Sequence, residues 1–542
     1  MLDSLWEAKE RWPLLAIPGF FLLSAFLVAP LRDVPVIDDW TYAWSVEHLL
    51  RTGRLAVLDW SAHYPILQTY WGGLWAAAFG FSFGVLRLST AALAAAGCVA
   101  LYLLLGELGI GRGRALLGAF ALAANPAFFV LSFSFMTDVP FLSLTIIVLY
   151  CYAAGLKRER PGWLWAGGGV AAGAFLCRQI GIVTPMAVAP LLVFKREHGA
   201  LLWGPPFWRR LLPVAASLAA MLALLFWMSA SLGRTSVMQE RAGGLRYLHL
   251  VSPGDYLKQT LFLMLQGIFY ASPLLLAGIW SRRRLLTTAA LAPAIAGFLW
   301  LCFGKIPSPL PLGGMWSLTE LAGVRWLVRG TPAGPGVAEV FDWPARALMV
   351  VAAAALIGGV ASLRTRGPLG RGEVLLLAYG LLQLGMINAL WLFYDRYALA
   401  LLPVLIYVAL KIPGPGSLRR GAAWGGVVLL AFVSVSGTWD ALRFNEACAE
   451  AFRGLRERGV PAAEIDAGYS LTGWTLYAHP ENLPPGDDPR RDAPWVTSGK
   501  ELPYIIANSP LPGCEVLGEV TWRGSWWAVS NRLYVLKRLA HG

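Results

Sequence analysis

The 542-residue chain is short of charge: Asp, Glu, Lys and Arg make up 14% of it, where soluble domains carry nearer ~25%. That scarcity excludes an ordinary soluble globular protein. Cysteine is also scarce, with six in all. Cys98, Cys151, Cys177 and Cys302 sit inside apolar runs, where a small buried side chain suffices as explanation. Cys448 and Cys514 lie in the polar tail and show no metal-ligand spacing. A cleavage site is missing too. The first apolar run, 14–31, is long for a signal-peptide core and has no small-residue motif before Asp33, so it reads as a retained anchor. Finally, the first half is not repeated in the second.

What is present is apolar: 57% of residues are hydrophobic and the mean hydropathy is +0.57. A span needs about 20 such residues, fewer where protein surrounds the helix. Thirteen runs meet that standard: 14–31, 84–105, 115–133, 139–155, 162–177, 180–194, 211–232, 258–279, 285–303, 344–363, 373–393, 397–410 and 422–438. Several are short, and one pair has the character of a broken or re-entrant element. The net charge of +13 does not indicate a nucleic-acid partner, because the basic residues cluster in short loops between apolar runs. Arg112 and Arg114, Lys157 to Arg160, Lys195 to Arg210, Arg282 to Arg284, Arg364 to Arg371 and Lys411 to Arg420 all fall on one face if there are thirteen spans. By the positive-inside rule that face is cytoplasmic.

The other face then carries most of the chain outside the membrane. Residues 34–83 form a first outer loop rich in Trp and Tyr, with an amphipathic helix expected over 41–52. A Pro/Gly-rich loop, 304–342, holds a second amphipathic stretch at 316–328. The tail, 440–542, is polar and reads as a helix over 440–458 followed by strands near 463–467, 504–507, 515–521 and 525–536. The expected architecture is an α-helical polytopic membrane protein of about thirteen transmembrane helices, residues 1–439, with a small soluble α/β domain, 440–542. If the tail faces an oxidising compartment, a Cys448–Cys514 disulfide is permitted.

Ionisable residues gather at the outer helix ends. Val36-Ile37-Asp38-Asp39-Trp40 follows the first run, and a carboxylate beside lipid is costly enough to count as a functional candidate. Helix capping would account for one Asp but not for two. Asp138, in Met136-Thr137-Asp138-Val139-Pro140, is either a cap before an early proline or a second acidic site. Arg178, in Arg178-Gln179-Ile180-Gly181, is either a snorkelling cation or an anion ligand. Tyr394-Asp395-Arg396-Tyr397 is either a self-neutralised pair or a second anion site, and His63-Tyr64-Pro65 is either solvated surface or part of the same site. Two arginines suit a phosphate, for which a planar fork is well shaped, and the carboxylates suit a hydroxyl proton or a divalent cation. A lipid phosphate carrying a sugar would satisfy both.

The order of these motifs resembles the GT-C glycosyltransferases, and within them the branch of protein O-mannosyltransferases, lipid A aminoarabinose transferases and related bacterial membrane transferases. The resemblance is densest from Pro35 to about Phe194 and returns at Tyr394–Pro403. It implies a polyprenyl-phosphate sugar donor, transfer outside the bacterial cytoplasmic membrane, and a lipid, glycan or protein acceptor. Asp38 matches the catalytic acidic residue, with Asp39 standing where the family often has Glu. Asp138 matches a second acidic site that binds a metal in some relatives, so a divalent metal ion at Asp138 is the cofactor to look for. Arg178, Arg396 and Tyr397 are expected to bind the donor phosphate, with His63 and Tyr64 contributing from the first outer loop. A transporter or lipid flippase, with polar residues at the membrane midplane between internal repeats, and a non-catalytic envelope-assembly paralogue are the alternatives.

Overall fold

The computed structural model describes residues 8–193, 205–245, 251–309, 328–331, 337–361, 368–389, 394–412, 419–488, 501–522 and 531–539. The amphipathic stretch expected at 316–328 lies outside them except at its last residue.

The chain opens with α1 (Ala8–Val28), an irregular segment to Ile37, and two helices of the first long loop, α2 (Asp39–Thr52) and α3 (Ile66–Phe79). There follow α4 (Phe83–Glu107), α5 (Arg112–Ala123), α6 (Pro126–Ser132), α7 (Asp138–Arg158), α8 (Pro161–Cys177), a 3-10 turn at Gln179–Ile182, and α9 (Val183–Val193). The second half holds α10 (Pro205–Ser231), α11 (Ser236–Leu245), α12 (Pro253–Tyr270), α13 (Ser272–Leu276), α14 (Arg282–Phe303), α15 (Val337–Ala361) and α16 (Arg371–Asn388). A 3-10 stretch at Asp395–Leu401 then leads into α17 (Leu402–Lys411) and the long α18 (Arg420–Glu457).

Over their described residues the thirteen apolar runs fall largely on helix, but they are not thirteen equal rods. Among the described residues, six helices are long and apolar enough to cross a membrane: α4, α7, α14 and α18 whole, and α10 and α15 over Trp208–Ser231 and Asp342–Val360. A seventh would be α5 with α6, which bend 66° at their junction. Asn125-Pro126 causes that bend. Pro126 has no N–H to continue the ladder of α5, and Asn125 accepts the Phe128 N–H at 3.0 Å to cap a new helix. The 180–194 run is divided between the 3-10 turn at Gln179–Ile182 and the short α9. Large apolar side chains point outward from the bundle, Phe26 and Leu301 each more than four-fifths exposed, as lipid contact requires. The protein is an integral membrane protein.

At the centre α7 packs between α4 and α8. Its approach to α4 is set by Gly97: a Cβ there would lie 2.5 Å from Ser143 Oγ and 2.7 Å from Ser143 Cα. Small residues at such a crossing let the backbones touch, which is how helices gain packing energy where water does not drive association.

The tail forms a four-stranded sheet in the order β1-β2-β4-β3: β1 (Ile465–Asp466), β2 (Tyr504–Ala507), β3 (Cys514–Trp522) and β4 (Asn531–Arg538). β1 runs parallel to β2 and the other pairs are antiparallel. The boundary expected at 439/440 falls inside α18, which continues unbroken from apolar sequence into the tail, where Phe444 meets Trp522 edge to face. Residues 328–331, from the Pro/Gly-rich loop, reach this sheet. Asn508 donates its backbone N–H to Arg329 O at 2.7 Å, and Arg329 Nε pairs with Asp466 Oδ2 at 2.6 Å. Cys448 and Cys514 do not pair; all six cysteines are free.

Gly97→Leu is expected to force α4 off α7, since the clash includes backbone that cannot rotate away. Over-packing of this kind costs about 1–3 kcal/mol. A fall in the thermal unfolding midpoint of the detergent-solubilised protein would register it, with Gly106→Leu, where a Cβ meets nothing within 4 Å, as the control.

Candidate active site

A cavity of about 590 Å³ opens where α2, the start of α7, the end of α8, α16, the Asp395–Leu401 stretch and the tail domain meet. Asp38, His63, Asp138, Arg178, Arg396 and Tyr397 all line it.

Local structure explains why they converge. Asp138 occupies the first turn of α7, where the positive end of the helix favours a carboxylate. It is not the cap: Thr137 holds that position, with no side-chain capping bond. Instead both Asp138 oxygens face Arg178, Nη1 to Oδ1 and Nη2 to Oδ2 at 2.9 Å each. Arg178 is the residue at which α8 stops, in extended conformation (φ −147°, ψ 130°), so its side chain turns back toward α7. Its Nε donates to Thr137 Oγ1 at 2.8 Å, and His63 Nε2 lies 3.1 Å from the same hydroxyl. Arg396 enters from the opposite wall. It stands 3.7 Å from Asp138 and 3.6 Å from Asp38, with its guanidinium over the Tyr394 ring at 4.3 Å. Carboxylate and guanidinium therefore alternate across the cavity, from Asp38 through Arg396 and Asp138 to Arg178.

Asp38 is one-quarter exposed and Asp138 almost enclosed. The residue that aims Asp38 is Ile37, whose φ is +57°. A β-branched residue rarely adopts that conformation, which costs roughly 1–3 kcal/mol and clusters at functional sites. Asp38 receives the hydroxyl of Tyr469 on Oδ1, and Trp60 Nε1 donates to that same phenol oxygen at 2.9 Å.

Asp39 does not line the cavity. Its side chain is fully buried, with Oδ1 accepting the Val36 N–H at 2.7 Å and Oδ2 at 3.7 Å from Arg87. Burial pushes its carboxyl up to about 7 against the opposing pull of Arg87. Arg87, inside the apolar run of α4 and equally buried, donates to the carbonyls of Pro30, Arg32 and Val34. The pair is thus the internal brace of the segment that ends in Asp38. Tyr64 also stays outside the cavity. Its hydroxyl donates to Gly233 O at 2.7 Å, and its backbone exchanges two bonds with the Gln179 amide, at 3.2 and 3.1 Å. It fastens the α10–α11 turn and the α8–α9 break to the first long loop. The Asp395 side chain lies outside what the structure describes.

The donor set at Asp138 does not fit a divalent metal ion. Both oxygens are committed to one guanidinium and a second stands within 4 Å, so a further dication would meet two positive charges. Among the described residues no three His, Cys, Asp or Glu side chains converge on a common point.

Residues 63–232 match the family model described as dolichyl-phosphate-mannose-protein mannosyltransferase. The match covers less than a third of the chain, including His63, Asp138 and Arg178, and it bears out the resemblance carried by the motifs. None of the curated proteins matches. Solved structures similar to this chain include ArnT from Cupriavidus metallidurans bound to undecaprenyl phosphate, at 15% identity over 98% of this chain and 99% of that one, with a TM-score of 0.44. The apo oligosaccharyltransferase of Archaeoglobus fulgidus is similar at 14% identity over 84% of this chain and 59% of its own, TM-score 0.40. The S. cerevisiae protein O-mannosyltransferase Pmt1-Pmt2 complex bound to the sugar donor is similar at 18% identity over 41% and 33%, TM-score 0.35. The chain thus spans about three fifths of the archaeal protein and a third of the yeast one.

Removing Asp138 would leave two guanidiniums facing each other across an enclosed space. Breaking one partner of a buried pair typically costs about 3–5 kcal/mol. Asp138→Ala is therefore expected to lower thermal stability markedly, and Asp138→Ala with Arg178→Met to recover part of the loss. A double variant no more stable than the single one would show that the pair is not coupled.

Proposed function

We propose that the protein is an inverting glycosyltransferase that moves a sugar from a polyprenyl-phosphate-linked donor to an acceptor hydroxyl. The observation that carries this reading is the alternation of Asp38, Arg396, Asp138 and Arg178 around one cavity among membrane helices. A transporter would need its polar site near the membrane midplane, whereas these residues stand at helix ends.

The chemistry follows from the groups. Asp38, the most exposed of the four side chains, accepts the proton of the acceptor hydroxyl as its oxygen attacks the anomeric carbon from the face opposite the phosphate. The bond from that carbon to the phosphate oxygen breaks, and its electron pair leaves with the polyprenyl phosphate, whose negative charge grows by one. No general acid is required, only cations preorganised where the charge develops. Arg396 and Arg178 supply them, and Asp138 keeps Arg178 in its forked orientation while the phosphate takes up the remaining donors. The apolar wall formed by Met386, Ile387 and Leu399 suits the first units of the lipid chain. The transferred sugar is a hexose or pentose, and the acceptor a lipid, glycan or protein. On the charge bias of the loops, the site and the tail domain face away from the cytoplasm of a bacterial inner membrane.

The test is transfer from a panel of undecaprenyl-phosphate-linked hexoses and pentoses by purified protein. Asp38→Asn is expected to lower turnover by roughly 10²–10⁴ while donor binding persists. Arg178→Ala and Arg396→Ala are expected to weaken donor binding by roughly 1.5–3 kcal/mol each. Near-normal transfer by Asp38→Asn would remove it as the base.

A further inference from the structure

Asp38 has a partner from outside the helical bundle. Tyr469 begins the short helix α19 (Tyr469–Thr472), just beyond β1 in the tail domain and 431 residues from Asp38 in sequence. The direction of its hydrogen bonds follows from chemistry. An indole N–H can only donate, so the phenol oxygen accepts from Trp60 and its own O–H must go to Asp38 Oδ1. Burial, and then the charge of Asp38, holds the phenol well above its ordinary value, so it stays a donor through the working pH range.

The segment carrying Tyr469 is clamped in place. Trp40, next in sequence after the acidic pair, stands edge to face with Tyr469 at 6.2 Å and with Tyr477 at 5.8 Å. Gly473 approaches Trp40 so closely that a Cβ would lie 2.5 Å from the indole. From Gly473 to Tyr477 the backbone is π-helical, closed by the Ala478 N–H on Gly473 O at 2.8 Å. Such turns are rare and recur at functional sites. His479 ends the segment, 3.3 Å from Glu47 on α2.

We infer that Tyr469 is a positioning residue for the reaction. The tail domain supplies the hydrogen bond that occupies Asp38 Oδ1, and so leaves Oδ2, the oxygen beside Arg396, as the one that takes the acceptor's proton. This rests on the reading of Asp38 as the base. Among the described residues, the charged and titratable groups around Asp38 are Arg396 at 3.6 Å, Tyr469 and the Tyr42 phenol of α2, with Asp138 beyond Arg396 and Asp39 turned away onto Arg87. Of these, Tyr469 alone belongs to the tail domain, so the base is complete only while that domain is docked.

The test uses the full-length protein in lipid nanodiscs. Tyr469→Phe keeps the ring against Trp40 and removes only the donor; Trp60→Phe removes the bond that orients it and is expected to act in the same direction more weakly. Losing a hydrogen bond to a charged group should lower kcat roughly tenfold to a hundredfold, leave donor KM near its original value, and move the acid limb of the pH–rate profile to higher pH. A second readout does not depend on turnover. In pH-titrated infrared difference spectra, the carboxyl band that Asp38→Asn abolishes should titrate at higher pH in Tyr469→Phe. An unchanged band, or an unchanged pH profile with only a lower unfolding temperature, overturns the inference. A shifted band without transfer by any of the proteins supports the hold of Tyr469 on Asp38 and overturns the glycosyltransferase reading instead.

Discussion

The structure depends on one constraint: a charge placed among apolar helices must be answered by an opposite charge close by. Asp138 and Arg178 answer each other through two parallel bonds, which fixes the start of α7 against the end of α8. Arg396 then ties the Asp395–Leu401 stretch to both acidic residues. Three parts of the chain far apart in sequence are thereby brought to one point. What looks like structural neutralisation is also what the leaving phosphate of the proposed reaction would need, because guanidiniums held by carboxylates do not have to reorganise when new negative charge appears.

A second, deeper pair serves the first. Arg87 and Asp39 cannot meet a ligand, yet Arg87 gathers three carbonyls of the segment after α1, and Asp39 holds Val36. Between Val36 and Asp38 stands Ile37 in its left-handed conformation, buried among apolar neighbours. The brace holds the strained residue, and the strained residue turns Asp38 toward the cavity while its neighbour turns inward. Two adjacent carboxylates thus end in opposite environments.

How much of this could be read from the sequence follows from which signals are local. Apolar runs are local, and over their described residues all thirteen lie largely on helix; the breaks at Asn125-Pro126 and Arg178-Gln179 turn on capping and hydrogen bonding that hydropathy does not register. Asp38, Asp138, Arg178 and Arg396 stand out as ionisable groups at the ends of apolar runs, and they do meet. Asp39 shares that position with Asp38, and only the backbone at Ile37 separates them. Arg87 is a single cation that the apolar run around it conceals. Tyr469 could not be found locally, because nothing in its neighbourhood points to a carboxylate 431 residues away. The change of composition near residue 440 is real, but α18 passes through it without a break.

That unbroken helix has a mechanical meaning. At 38 residues α18 is roughly 57 Å long, nearly twice the ~30 Å of a hydrocarbon core. Its apolar half sits in lipid and its polar half is a rigid lever on which the sheet is mounted. A bilayer thicker or thinner than the apolar half is accommodated by tilt. A tilt of a stiff rod is a displacement at its far end, where the segment bearing Tyr469 is carried. Lipid composition would then reach Asp38 through leverage alone, and acyl-chain length becomes a variable that acts on the site without touching it.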